Sequence, residues 1–340
     1  LILVAVACSS NAERPASSFP TATSTKIAPQ ITTLATWSFQ SVDGLAWASD
    51  NLTFAASVKE NNDYLVKAFD AATYQEIWAA PDILTDDLVF TPDGSELIVA
   101  PYPFTSGITA LNASTGELSR SSSAGPCLGG NLLTPMADGY KLLAGATLAP
   151  RAEAYTTIFV WDLSSMTCAG KFARLEGQVF GISSGTQGEI LAITRRIAPE
   201  KPFVIEVWGI ELGTKLCDFE GTLAVFDHDE SRVLTPNRDN DEVIDVRDAK
   251  SCEKLTELHG IPYPFGSAFD LSPDGKLLAT GNETLQVWDT QTGEKLVESL
   301  ELFGNYVDFI KFSPDGQFVL VSSSVTGRQE TTITLLSISK

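Results

Sequence analysis

The chain repeats one turn. Phe90-Thr-Pro-Asp-Gly94, Leu271-Ser-Pro-Asp-Gly275 and Phe312-Ser-Pro-Asp-Gly316 are near copies, each followed by an apolar run (ELIVA, KLLAT, QFVLV). Proline presets one backbone angle and Asp-Gly supplies a left-handed position, so each copy reads as a tight turn between two strands. Weaker copies fill the gaps at Ala48-Ser49-Asp50-Asn51, Ala137-Asp138-Gly139, Ser183-Ser184-Gly185 and Asp227-His228-Asp229. Their Ser-like first positions are 49, 91, 134, 183, 227, 272 and 313, so the repeats lie 41 to 49 residues apart.

A second mark recurs at fixed phase. An apolar strand ends in an Asp-like residue, a small polar turn follows, and another strand begins: VKAFDAATYQEIW, ITALNASTGELS, IFVWDLSSMTCAGKF, IEVWGIELGTKLCDF, VIDVRDAKSCEKL and LQVWDTQTGEKLV. Each unit thus holds four short strands, and no stretch carries a helical period. Four strands in about 40–45 residues is the signature of a propeller blade. The expected fold is all-β, a seven-bladed β-propeller of four-stranded blades. The last unit runs out at its third strand, Ile333 to Ile338, while Ile31 to Trp37 forms a surplus strand ahead of the first. The N-terminal strand is therefore expected to complete the last blade and close the ring, which removes an open sheet edge.

Trp161-Asp162 and Trp288-Asp289, with Phe69-Asp70 and Trp208-Gly209 as degenerate copies, resemble the Trp-Asp pairs of the WD40 and WD40-like propeller superfamily across residues 31–340. That resemblance implies a fold and no single activity. The family's Gly-His pair is missing apart from a reversed His259-Gly260, and Asn282 stands where the family has a turn Asp. The hydrogen-bonded tetrad of regular blades is therefore not expected, and apolar packing between sheets is expected to hold the ring. The segment from Phe69 to Trp78 also resembles one quinoprotein-type blade motif.

The chain opens with seven apolar residues before Cys8. A membrane span needs about 20, so they read as the end of a secretory signal. Ala5 and Ala7 ahead of Cys8 resemble a bacterial lipobox, which implies cleavage before Cys8 and lipid attachment to it. The expected domains are a truncated signal peptide (1–7), a lipidated Cys with a Ser/Thr/Pro tether (8–30) and the propeller (31–340). The tether lacks apolar residues to offset its ordering entropy, and as a flexible coil it would reach about 26 Å. The expected location is extracytoplasmic, anchored to the cell membrane or outer membrane of a bacterium.

The net charge is −20, and because the tail holds Glu13 against Arg14 and Lys26, residues 31–340 carry −21. Such a surface repels nucleic acid and anionic lipid, so membrane contact is expected only through Cys8. Two histidines leave little room for His-based catalysis. No cofactor or metal is expected, and the protein is expected to be a monomer. Gly181, Ser183 and Gly185 match a nucleophile elbow in spelling, but they sit where other units have a turn and then a strand, whereas the elbow needs a helix. Asn237, Asp239 and Asp241 alternate like Ca²⁺ ligands, yet Glu242 and Asp248 stand where an EF-hand needs Gly and Glu, so a solvated loop is expected. Cys127, Cys168, Cys217 and Cys252 leave three pairings open if both bonds form, and no C-x-x-C spacing suggests zinc.

The loops between second and third strands emerge on one rim of the ring. They hold Arg151, Arg195, Arg196, Arg238 and Arg328, half of the ten arginines, and Tyr102, Phe104, Tyr263 and Phe265 lie in loops of the same rim. Arg and aromatic residues dominate protein interfaces. The expectation is a protein-binding or scaffold module, not an enzyme, with that rim as its contact surface. The alternative is a propeller enzyme, a lactonase-like hydrolase or a quinone-dependent dehydrogenase, with its site in the central channel.

Overall fold

The computed structural model describes residues 29–102, 107–122, 125–136, 138–147, 155–185, 187–240, 242–260, 268–281, 284–301, 306–325 and 330–339. Among them every regular element is a strand, and the strands form seven four-stranded antiparallel sheets. The inner strands are Ser41–Trp47, Leu88–Phe90, Leu132–Pro135, Gln178–Ser184, Val225–Phe226, Ala268–Leu271 and Tyr306–Phe312, for blades 1 to 7. Each touches the inner strand of the next blade, and that of blade 7 touches that of blade 1. The chain is a closed seven-bladed β-propeller.

Seven apolar clusters fill the wedges between adjacent blades, one per wedge. Between blades 5 and 6, for example, Leu234, Ile244 and Val246 pack against Phe269, Leu271, Leu278 and Trp288. A sheet covered on both faces needs near-continuous apolar strands, and Leu277–Gly281 in blade 6 is buried throughout. The outermost strand has a covered face and a wet one, and Thr167–Glu176 in blade 3 alternates accordingly.

Turn chemistry explains the repeat. In the turn between first and second strands, Ser272 Oγ and Lys276 N both donate to Asp274 Oδ1, and Leu277 N donates to Ser272 Oγ. Thr91 with Asp93, and Ser313 with Asp315, make the same contacts. The shared backbone bond that opens this turn starts at Ala48, Thr91, Met136, Gly185, Asp227, Ser272 and Ser313. Three weak copies thus shift from 49, 134 and 183 to 48, 136 and 185, because without a serine hydroxyl only the backbone bond marks the phase. The Gly181 to Ser184 stretch is strand, and the next described element is the strand Ile190–Arg196. In the turn between third and fourth strands, Asp70, Asn112, Asp162, Asp248 and Asp289 each accept backbone N–H groups two and three residues on. That is the work of the Asp in each Trp-Asp pair. In blade 6, Trp288 Nε1 donates to Thr280 Oγ1 at 3.0 Å.

The N-terminal strand Gln30–Phe39 pairs with Thr331–Ser339 as the outermost strand of blade 7 and closes the ring. Trp37 seats it against blade 1, with ring centroids 5.4 Å from Phe54 and 5.1 Å from Phe69. Cys127, in the segment joining blades 2 and 3, pairs with Cys168 of blade 3, and Cys217 of blade 4 with Cys252 of blade 5, at Cα separations of 5.5 and 5.8 Å. Two disulfides belong to an oxidising compartment.

Candidate interaction rim

Antiparallel order sorts the strand ends. In every blade the first and third strands start, and the second and fourth end, on one rim. The Pro-Asp-Gly turns occupy the other. The loop rim carries the expected interface, and four of its residues fall among those described. Phe104, Arg151, Tyr263, Phe265 and Arg328 lie outside the described residues, as does Cys8.

Arg195 and Arg196 end the second strand of blade 4, Ile190–Arg196, and have different surroundings. Arg195 donates to Glu206 Oε1 and to the Glu176 carbonyl, each at 2.8 Å, and Glu206 is buried. Arg238 in blade 5 forms an ion pair with Glu220 of blade 4. Arg196 donates from Nε to the Lys201 carbonyl at 2.9 Å, and its guanidinium lies 5.0 Å from the centre of the Phe203 ring. Phe203 in turn meets Phe180 edge-on at 5.0 Å. Tyr102 is exposed on the blade 2 loop.

Phe180, Ile197, Phe203, Tyr155 and Tyr306 are further rim residues, and no sequence motif marks them. Phe180 is 46% exposed and Ile197 43%, so the layered group Arg196, Phe203, Phe180 has an apolar flank open to solvent. Tyr155 of blade 3 is half-exposed, with Arg174 stacked 4.2 Å above its ring. The available signal was strand alternation around Gln178–Ser184, where Val179 is buried and Phe180 is not.

A bulge aims Phe180. The inner strands of blades 1, 4 and 7 each shift register there, at Asp43, Phe180 and Asp308. Bulges redirect a side chain. Asp86 of blade 2 holds the same repeat position, five residues before the turn. Blades 7, 1 and 2 thus place three carboxylates where blade 4 places an aromatic ring. Asp43 and Asp86 border a cavity of about 300 Å³ with Gln40, Ser41, Lys59, Tyr64 and Leu84. Burial, then the neighbouring Asp86 charge, raises the Asp43 pKa, and burial raises that of Asp308. The rim is acidic on one side and carries arginine and aromatics on the other.

At the inner strands of blades 2 and 6, Asp87 Oδ2 accepts the Leu133 N–H at 2.8 Å, and Asp270 Oδ2 accepts that of Phe312 at 2.8 Å, each from the next blade. Burial pushes the Asp87 carboxyl up to about 6, and it raises Asp270 as well. In the expected solvated loop, Asn237 Oδ1 accepts the N–H groups of Asp239 and Asn240, while its Nδ2 donates to Asp245. The Asn237 oxygen thus already has protein donors, and Asp241 lies outside the described residues. Among the described residues no three His, Cys, Asp or Glu side chains gather closely enough to hold a metal ion.

No protein-family model matches the chain, and no curated protein matches it.

Proposed function

We propose that this propeller is an exported, lipid-anchored binding module that holds a partner protein on the Arg and aromatic side of its loop rim. The observation that carries the reading is the layered group of Arg196, Phe203 and Phe180 beside exposed Ile197. Binding hot spots are built from such residues, an aromatic anchor and an arginine held by its neighbours. Export is supported by the two disulfides and by the lipobox resemblance at Cys8. Topology favours the same arrangement. Gln30 pairs with Ser339 on the turn rim, so a tether leading to Cys8 departs on the side away from the binding surface.

Site-specific photo-crosslinking tests the rim. A photoreactive phenylalanine analogue at position 180 is expected to capture a discrete protein in host cells. The same analogue at Leu118, exposed on the outer strand of blade 2, is not. No adduct at 180, or equal adducts at both positions, overturns the assignment. For the anchor, Cys8→Ser is expected to release the protein from the membrane fraction, and continued membrane association counts against it. The carboxylates at the channel mouth are what favours the enzymatic alternative. A stoichiometric metal or a quinone absorbance in the purified protein would establish that alternative instead.

A further inference from the structure

We infer that the surface around Arg196 recognises an extended partner segment in which an Asp or Glu lies beside a large apolar residue. The inference rests on the rim reading above and adds the chemistry of the partner. The guanidinium of Arg196 is held twice, by its Nε bond to the Lys201 carbonyl and by its place over the Phe203 ring. Among the described residues neither Nη has a hydrogen bond or an ion pair. A planar fork fixed in this way matches the two oxygens of a carboxylate, and its conformational freedom is already spent. The neighbouring arginines differ, since Arg195 is engaged by Glu206 and Arg238 by Glu220.

The apolar half of the site is Phe180. Phe180 is fixed by its edge-on contact with Phe203, yet nearly half of its surface is open. Charge favours the acidic partner on this side over the other. Lys201 and Arg174 lie on the same sector beside Glu176, Glu200 and the Arg238-paired Glu220. Asp43, Asp86 and Asp308 occupy the equivalent inner positions of blades 1, 2 and 7, make no ion pair among the described residues, and would repel an acidic segment. Specificity of this kind comes from repulsion elsewhere as much as from attraction here. A basic segment would seat at the acidic mouth and ignore Arg196.

A display library of linear 12-residue peptides, with no free C-terminus, panned on the whole protein tests this. Enriched peptides are expected to share an Asp or Glu within two residues of Leu, Ile, Phe or Trp. With a dye-labelled copy of one such peptide, Arg196→Gln is expected to weaken binding about tenfold or more, with Arg196→Lys recovering part of the loss. Phe180→Ala is expected to weaken it about tenfold, and Leu118→Ala to leave it unchanged. Thermal melts of each variant are expected to match the unsubstituted protein, which separates lost binding from lost fold. Peptides lacking an acid, or binding indifferent to Arg196→Gln, overturn the inference while crosslinking at 180 still supports the rim. Failure to enrich any peptide that depends on Phe180 also overturns it, and the crosslinking result decides the rim reading separately.

Discussion

Arg195 reaches Glu206 diagonally across two strands of blade 4, Nη2 to Oε1 at 2.8 Å, and Lys215 approaches the same oxygen to 3.6 Å from the outer strand. Blade 5 repeats the pattern with Asp245, Lys254 and Arg247. Blade 1 exchanges the charges, with Lys67 buried between Glu60 and Glu76. All three central residues stand three positions before the residue that opens the outer turn. One buried position therefore accepts either sign, provided its neighbours carry the other.

Removing one member of a buried pair strands the other charge away from water. Arg195→Ala is expected to cost about 3 kcal/mol of stability. Arg196→Ala, which breaks no ion pair, is expected to cost under about 0.5 kcal/mol. Denaturant midpoints of the two variants measure the contrast, and equal losses would refute the division of labour between these adjacent arginines.

Glu230 holds positive φ (54°) where blade 2 has Gly94 (69°). Its carboxylate accepts the N–H groups of Gly188, Glu189 and Ile190 in the neighbouring blade, at 2.5, 3.0 and 3.1 Å. Glu230→Gly relieves the backbone but leaves the buried Ile190 N–H without its acceptor. Three charge-assisted bonds outweigh one strained residue, so a net loss of about 2 kcal/mol is expected. Faster amide exchange at 188–190 checks the mechanism; unchanged exchange there contradicts it.

The disulfides close loops of 41 and 35 residues. In the chain-entropy account each restricts the unfolded chain by about 4 kcal/mol. Serine pairs at 127 and 168, or at 217 and 252, are expected to lower the unfolding free energy on that scale. Peptide mapping without reductant should recover only these two linkages. Four alkylatable thiols in the unreduced, denatured protein would remove the basis for the oxidising compartment.

Asp87 titrates at about 6 in the folded chain, against an ordinary value of 3.8. The folded state therefore holds this proton more tightly than the unfolded one. Stability contributed by the group falls as pH rises from about 4 to 6, and the cost above pH 6 is at most about 3 kcal/mol. The unfolding free energy of Asp87→Asn minus that of the native protein is expected to grow across this window. A difference that stays flat with pH would show that the carboxyl is not desolvated.

The fold was legible because its turns are local chemistry. Asp315 and Gly316 specify their turn within five residues, and seven copies fix the blade count. The rim was legible only as a tendency. Arg195 and Arg196 are neighbours in sequence, and nothing nearby announces that Glu206 claims one of them. That depends on a diagonal register across two strands. Phe180 carries only the short alternation with Val179 as a signal, and the bulge at its position leaves no mark in composition. The cysteine pairing stayed open for a similar reason, since the blade-to-blade approach that joins Cys217 to Cys252 is tertiary.

The strand that closes the ring is also the first to be made. Gln30 and Ser339 are joined across 309 residues, and Ser339 Oγ donates to the Gln30 carbonyl. At ordinary synthesis rates of about 5–20 residues per second, Gln30–Phe39 waits some tens of seconds for its partner. Over that interval Trp37 and Phe39 have only blade 1 to pack against, and blade 7 cannot form its outer edge. A neighbouring nascent chain offers the same strand. The cell must therefore keep these copies apart until each ring shuts, and crowded expression should favour dimers that have exchanged their first strands.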